Sequence, residues 1–290
     1  MSPRETRPLP TVVIASRDRR ARLLETLARL VALPERPAII VVDNGSADDT
    51  PAAVRSAFPG VRVIALEEDA GSAARTVGLR AARTPLVAFT DDDSWWAPGA
   101  LARAAALFSA YPRLALIAAR IHVEPGGRLD PTSATMRASP LRSDVALPGP
   151  PVLGFLACGA IARREPVLEC GGFHPRFGFG GEEQLLAVDL AAAGWGLAYV
   201  DDVVAHHEPA PGPRTWISGS EQRNVLWSAW LRRPLRHGAR LTVAHAVRRR
   251  ASGRRAVVAA LGGLPWVIRE RRLLPAHVEA HLRLLERAQA

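Results

Sequence analysis

Four groups of side chains in this sequence have the type and order needed to handle a charged substrate. Asp43 ends one apolar run and Asp91-Asp92-Asp93 ends another; Glu182-Glu183 opens a helical pattern about ninety residues later, and His206-His207 closes a further apolar run. Magnesium and manganese are hard ions that prefer carboxylate oxygens and commonly bridge substrate phosphates. Carboxylates at the carboxyl ends of successive buried strands stand where an open α/β sheet binds its ligands. An Asp-x-Asp followed by a later acid and a histidine is the set required by a metal-assisted transfer from a nucleotide-activated donor.

Each group also has a plainer reading. Asp43 alone would serve as a cap for the next helix. Three consecutive acids after LVAFT would form a solvated turn, but their mutual repulsion makes a bound cation the more economical account. Acids at a helix N-terminus are favoured by the macrodipole whatever their role, which explains one of Glu182-Glu183 better than both. The aromatic and glycine-rich lead-in GFHPRFGFGG suits an acceptor-site loop that places a carboxylate where a hydroxyl must lose its proton. A lone histidine is most often structural; a pair following both acidic motifs leads us to expect metal coordination by one of the two. Trp95-Trp96 is open between packed core and a sugar-stacking surface.

Elements that would position these groups alternate along the first two-thirds of the chain. Short apolar, β-branched runs at 11–15, 38–42, 61–66 and 86–90 predict strands, and leucines at helical spacing over 19–33 predict a helix. Further helices are predicted near 48–58, with Ser46 or Asp48 as the cap, and over 71–82. Alternation of this kind implies parallel strands with crossover helices. Beyond Asp93 we expect a helix to about 110, a strand over 114–123, an unstructured loop over 124–150, strand character over 152–162, a helix over 182–193 and a last short strand over 196–200.

The 290 residues are about half hydrophobic and a quarter charged, as expected of a globular chain able to bury a core. Cys158 and Cys170 are the two cysteines, too few for a disulfide framework or a zinc site. MSPRETRPLP lacks the apolar stretch of a signal peptide and no run reaches spanning length, so the expected compartment is the cytoplasm. Dinucleotide-binding, phosphate-loop, nucleophile-elbow and HExxH patterns are absent. The net charge of +10 is uneven: residues 214–290 hold sixteen Arg and four Glu, a surplus of +12, against −2 for residues 1–213. We therefore divide the chain into 1–213 and a basic helical extension, 214–290. The extension contains AVVAALGGLPWVI between arginines, open to two readings: a peripheral membrane-surface contact, or helices packed on the first domain with Arg facing water. No nucleic-acid motif accompanies the charge.

Taken in order, VVIASRDR, VVDNGSADDT, GSAARTVGLRAA, FTDDD, GGFHPRFGFGGEEQLLAVDLAAAGW and VVAHH resemble the inverting family 2 glycosyltransferases, over about residues 9–209. The resemblance implies an α/β GT-A fold, a Rossmann-like, mixed and mostly parallel sheet flanked by helices. It implies that Ala15 and Ser16 border the nucleotide pocket, Asp43 contacts the base, Arg75 helps hold the nucleotide, and Asp91 and Asp92 lie by the ribose and diphosphate. Asp93 would bind Mn2+ or Mg2+ with His206 or His207, His206 being favoured, and Glu183 of the Glu182-Glu183 pair would be the general base. Two departures stand out: the second acid of the pair is Glu where Asp is usual, and Thr76 replaces a common Asn.

The implied reaction takes a sugar from a nucleotide-diphosphate donor to a glycan, lipid-linked or small-molecule acceptor, in cell-envelope glycan, glycolipid or metabolite glycosylation. Two alternatives stay open: a sugar-phosphate nucleotidyltransferase, and a non-catalytic nucleotide- or glycan-binding protein on the same fold.

Overall fold

A computed structural model of the chain describes residues 8–210, 217–248 and 250–288. Among these, nine strands form one sheet: β1 (Thr11–Ser16), β2 (Ile39–Asp43), β3 (Arg62–Ala65), β4 (Leu86–Thr90), β5 (Ser94–Trp96), β6 (Leu114–Val123), β7 (Arg128–Leu129), β8 (Ala160–Arg163) and β9 (Gly196–His207). Their order is β3-β2-β1-β4-β8-β6-β9-β5, with β7 on β6. The helices are α1 (Arg20–Val31), α2 (Thr50–Ala57), α3 (Ala74–Ala81), α4 (Ala100–Ala110), α5 (Pro131–Arg137), α6 (Arg164–Glu169) and α7 (Glu182–Ala192), then α8 (Ile217–Arg232), α9 (Leu235–Arg248), α10 (Arg250–Leu261), α11 (Leu264–Glu270) and α12 (Ala276–Ala288).

Strand β1 shows why the runs read as unbroken apolar stretches. Val12 and Ile14 pack on one face with Leu23, Leu27 and Leu30 of α1, while Val13 packs on the other with Leu79 of α3. Both faces are covered by helices, so neither side of the strand alternates with polar residues. Parallel pairing of β1 with β2 and β4 sets Ser16 beside Asp43 and Ile14 beside Thr90. The carboxyl ends of three strands thus meet at one edge, and their acids follow.

Farther across, the sheet is more evenly mixed than expected. β8 runs antiparallel to β4 and β6, β5 runs antiparallel to β9, and β6 is parallel to β9. Four boundaries differ from the sequence reading. β9 does not stop at 200: it continues through the His pair, with a register shift between Val200 and Val204 that accommodates Asp201-Asp202. The 124–150 segment contains β7 and α5, the latter capped by Asp130 accepting from the Thr132 and Ser133 N–H groups. Of the 152–162 run only 160–162 is strand, the start of β8, since 157–159 forms a 3-10 turn. β5 went unpredicted because three residues are too few to show a period.

Helices α8–α12 share cores with the α/β part. Phe177 and Leu185 cluster with Leu226, Trp227, Leu231 and Trp266; Leu153 and Val188 cluster with Val278 and Leu282. Arg232 grips Asp189 in a two-pronged ion pair of 2.5 and 2.8 Å. AVVAALGGLPWVI is split between α10 and α11, and its Ala260, Trp266 and Val267 face inward. The expected boundary at 213 lies outside the described residues. Among the described residues, no helix is long and apolar enough to cross a membrane.

Gly78 sits where α3 crosses β1 and β2. A Cβ there would lie 2.3 Å from Val13 Cγ1 and 3.1 Å from Val42 Cγ2, both rigid β-branched side chains. Gly78→Ala is expected to destabilise the fold by about 1–3 kcal/mol through overpacking, against the gain of about 1 kcal/mol that Ala brings to an exposed helix. Urea unfolding checks it; a variant as stable as the parent would mean that α3 sits less tightly on the sheet.

Candidate active site

The turn after β4 is built by short hydrogen bonds. Ser94 Oγ accepts from the Asp91 N–H at 2.8 Å and lies 2.9 Å from Thr90 Oγ1. Asp92 is then held from three sides. Its carboxylate accepts from Ser16 Oγ at 2.8 Å and from Arg19 Nε at 3.1 Å, while its main-chain carbonyl accepts from Thr26 Oγ1 at 2.7 Å. Arg19 also reaches Asp93 at 3.1 Å. Arg75, on α3, donates to Asp91 at 2.5 Å.

Strand β5 brings in the histidines, because it pairs Ser94 with His207 and Trp95 with His206. His207 Nε2 lies 3.4 Å from Asp93 Oδ1. His206, the residue favoured from the sequence, lies apart from Asp93: successive side chains on a strand point to opposite faces, so His206 turns away. It meets Glu124 at 3.0 Å and stacks on Trp95, with ring centres 5.4 Å apart. Trp96 is fully buried core, and Arg29 covers Trp95 from 3.7 Å.

The glutamate pair enters from α7. Gly180 and Gly181 take left-handed φ values of +91° and +88°, a conformation that strains residues bearing a Cβ. Buried Asn224 of α8 fixes this lead-in by donating to the carbonyls of Phe177, Phe179 and Gly180. Glu183 faces the cleft and accepts from the Ala157 N–H at 2.6 Å. Glu182 is buried, and its Oε2 has no hydrogen-bond partner.

Burial, and then the Glu182 carboxylate, push Glu183 up to about 8. Burial also raises Glu182, and it raises Asp92 to about 6 against the pull of Arg19 and Ser16. For Arg75, burial disfavours the charge, but Asp91, Glu183 and Glu182 outweigh it and hold the guanidinium firmly protonated.

These groups open onto one cleft of about 840 Å3. Ala15, Ser16, Arg75, Asp91, Asp92, Asp93, Glu182, Glu183 and His207 all line it. Asp43 and His206 are not among its lining residues. The Asp43 carboxylate instead accepts from the Ser46 hydroxyl at 2.6 Å and the Ser46 N–H at 3.2 Å, closing its own turn. Sequence reasoning missed Arg19, and also Asn44 and Asp69, which are joined by a 2.8 Å hydrogen bond at the cleft wall. Nothing in the spacing of ASRDRR separates Arg19 from the arginines around it. Glu221 of α8 lines the cleft as well.

Among the described residues, no three His, Cys, Asp or Glu side chains form a complete ligand set for a metal. A hard divalent ion on a diphosphate needs fewer, since it keeps waters and takes phosphate oxygens. Asp93 and His207 fit that requirement as adjacent oxygen and nitrogen donors. The charge balance points the same way: Asp69, Asp91, Asp92, Asp93, Asp130, Glu182, Glu183 and Glu221 line the cleft with Arg17, Arg19 and Arg75, so a diphosphate entering it would call for further positive charge.

The model of Glycosyl transferase family 2 matches residues 11–171. The uncharacterized glycosyltransferase Rv0539 of Mycobacterium tuberculosis is 30% identical over 203 residues, covering 69% of this chain and 86% of the relative. The N-acetylglucosaminyl-diphospho-decaprenol L-rhamnosyltransferase of the same organism is 25% identical over 253 residues, covering 72% and 82%. Similarity to the succinoglycan biosynthesis protein ExoU of Rhizobium meliloti, at 30% identity, is local, covering 31% of this chain and 28% of that protein. A mannosyltransferase from Pyrobaculum calidifontis, solved with GDP-Man and Mn2+, superposes with a TM-score of 0.60 at 20% identity, covering 98% of this chain and 80% of that one.

A carboxyl group whose affinity for its proton is raised on folding adds stability below its ordinary range and loses that contribution as pH climbs through the raised value. Glu183→Gln, uncharged throughout, should therefore gain stability over the parent as pH rises from about 6 to 9, by on the order of a few kcal/mol. Urea melts at both ends test this; a stability difference independent of pH would place Glu183 in a well-solvated setting.

Proposed function

The chain belongs to glycosyl transferase family 2, and from that premise we propose that it moves a sugar from a nucleotide-diphosphate donor to an acceptor hydroxyl, inverting the anomeric carbon with the help of Mn2+ or Mg2+. The observation that carries this reading is that Glu183 and the Asp91-Asp92-Asp93/His207 group face one cleft. The catalytic unit in this reading is 1–213, with 214–290 as its helical support.

In this proposal Ala15 and Ser16 border the nucleotide, and Asp91 and Asp92 face the ribose and diphosphate. Asn44 and Asp69 line the cleft and are the residues nearer a base, whereas the oxygens of Asp43 are engaged by Ser46. Arg75 balances Asp91 and the glutamate pair, which keeps the acids together in the cleft. Asp93 and His207 would hold the divalent cation, which when bound neutralises charge on the leaving diphosphate.

Glu183 takes the proton from the acceptor hydroxyl as that oxygen attacks the anomeric carbon. The bond from this carbon to the diphosphate oxygen breaks, and the nucleoside diphosphate leaves. A base poised near 8 is matched to taking a proton at neutral to mildly alkaline pH. Glu183 suits the role better than Glu182 because it is the less buried of the two and the Ala157 N–H fixes its longer arm. A one-step displacement needs no nucleophilic side chain. Cys158 lines the cleft, but burial pushes its thiol well above the range in which thiolate forms.

The neighbour solved with GDP-Man and Mn2+ and the relative named for a diphospho-decaprenol acceptor support a nucleotide-sugar donor and an envelope glycan or glycolipid acceptor. The nucleotidyltransferase and non-catalytic readings have no comparable support.

Thermal shift with UDP, dTDP, GDP, CDP and ADP, each with and without manganese, tests the donor site. One nucleotide should raise the melting temperature only with metal, by mass action on the folded state, and Asp93→Ala should abolish the rise. No shift in the parent under any condition would remove the donor assignment. With the nucleotide identified, Glu183→Gln should keep the shift and lose transfer by about 10²–10⁴-fold. In the parent, kcat/KM should climb tenfold per pH unit below about 8 and then level off. A retained configuration in the product would exclude the single displacement.

A further inference from the structure

Seven of the nine exposed large hydrophobic side chains among the described residues fall between 235 and 273. That clustering is too tight to be the ordinary scatter of apolar groups over a surface. On α9, Leu235, Ala239, Val243 and Val247 follow at steps of four, which places them in one stripe; all four are exposed, Leu235 at 74% and Val247 at 70%. Beside the stripe, Arg236 and Arg240 also face water. The stripe leads into a groove of about 300 Å3 lined by Leu235 and Ala239 of α9, Leu264 and Ile268 of α11 and Trp230 of α8, with Arg271 at its rim. Exposed Arg269, Arg272 and Leu273 continue the same alternation of apolar and basic groups past α11.

Charge decides what could cover this face. Residues 222–269 contain eleven Arg and no Asp or Glu. The acids that follow are engaged elsewhere: Glu270 with His174, and Glu279 and Glu286 with Arg233. A second copy of the chain would set arginine against arginine. A nucleic acid would satisfy the arginines and leave the valines and leucines in water. An anionic lipid surface accepts both, the acyl boundary taking the aliphatic side chains and the phosphates taking the guanidiniums.

We propose that α9 and α11 form a docking face for an anionic lipid bilayer, with the stripe from Leu235 to Val247 as its apolar contact and Arg236, Arg240, Arg269 and Arg272 as its headgroup contacts. Docking in this form uses no part of the donor site. One consequence does rest on the glycosyl-transfer reading. Glu221 lines the catalytic cleft while Ala229 and Trp230 line the groove, all on α8. Eight residues of helix span about 12 Å, so a docked enzyme holds its cleft close to the lipid surface, and the acceptor class that fits is one carried on a lipid.

The experiment is sedimentation of the full chain, without nucleotide, with vesicles of phosphatidylcholine alone and of phosphatidylcholine mixed with phosphatidylglycerol. The chain should sediment with the mixed vesicles and stay in solution with phosphatidylcholine, and added salt should release it. Arg236→Glu/Arg240→Glu and Val243→Glu/Val247→Glu should each weaken the partition at least about tenfold. All four side chains are solvent-facing or project from the helix surface, and unchanged melting by circular dichroism confirms that the variants are folded. Absence of sedimentation with anionic vesicles overturns the proposal, as does equal partition of the parent and either double variant. A concentration-dependent dimer that Val243→Glu/Val247→Glu dissolves would make the face an interface between copies instead. Because no nucleotide is present, a failed docking leaves the donor-site reading standing, and a failed donor site leaves docking standing.

Discussion

Five of the eight carboxylates that line the cleft crowd around two arginines, and the arrangement answers the repulsion that this creates. Arg75 lies buried between Asp91 and the glutamate pair, and Arg19 spans Asp92 and Asp93 from the other side. Two guanidiniums do not balance five acids. The remainder shows in Asp92, raised to about 6, and Glu183, raised to about 8. Burial is the leading cause in both, and it persists because each acid also has a defined hydrogen-bond donor, Ser16 for one and the Ala157 N–H for the other. A site built this way retains a demand for positive charge, and it holds one carboxylate, Glu183, with a raised affinity for a proton.

The sheet exists in the form that this electrostatics requires. Parallel β1, β2 and β4 end together, which puts Ser16 and the Asp91 turn at one edge. That much was legible in the sequence, because buried parallel strands leave continuous apolar runs and the acids sit where those runs stop. The short connection from the acid turn to the histidines was not. β5 has three residues, no period of its own, and a register that only pairing with β9 defines. Without that register, His206 and His207 are equivalent; with it, strand alternation sends His207 to Asp93 and His206 to Glu124. Asp43 was ambiguous for a related reason. An acid at a strand end can face a ligand or close its own turn, and the Ser46 that distinguishes the two cases was seen only as a possible cap.

The C-terminal helices divide their surfaces between two tasks, and composition alone blurs them. AVVAALGGLPWVI looks like the apolar face of a surface-seeking helix, yet the Gly262-Gly263 junction breaks it. Trp227 donates to the Ala260 carbonyl at 2.9 Å, and Trp266 packs edge-on to Trp227. Its inward side belongs to the core. The side chains left in water are spread over α9, α10 and α11 among arginines, and no single window of the sequence displays them together.

Helix α8 joins these regions in a way that argues against treating residues beyond 213 as an appendage. Near its start, Asn224 holds three carbonyls of the loop whose last two glycines set the direction of α7, and thereby the reach of Glu183 into the cleft. Ser220 and Arg223 of the same helix add donors to the Phe179 and Phe177 carbonyls, so the loop is tied to α8 at several points. Near its end, the same helix supplies Trp230 to the floor of the apolar groove. A helix of this length fixes the distance between Glu183 and the outer face of α9. The geometry of the cleft is therefore set from both directions, by the sheet that gathers the acids and by the helix that holds the glycine turn.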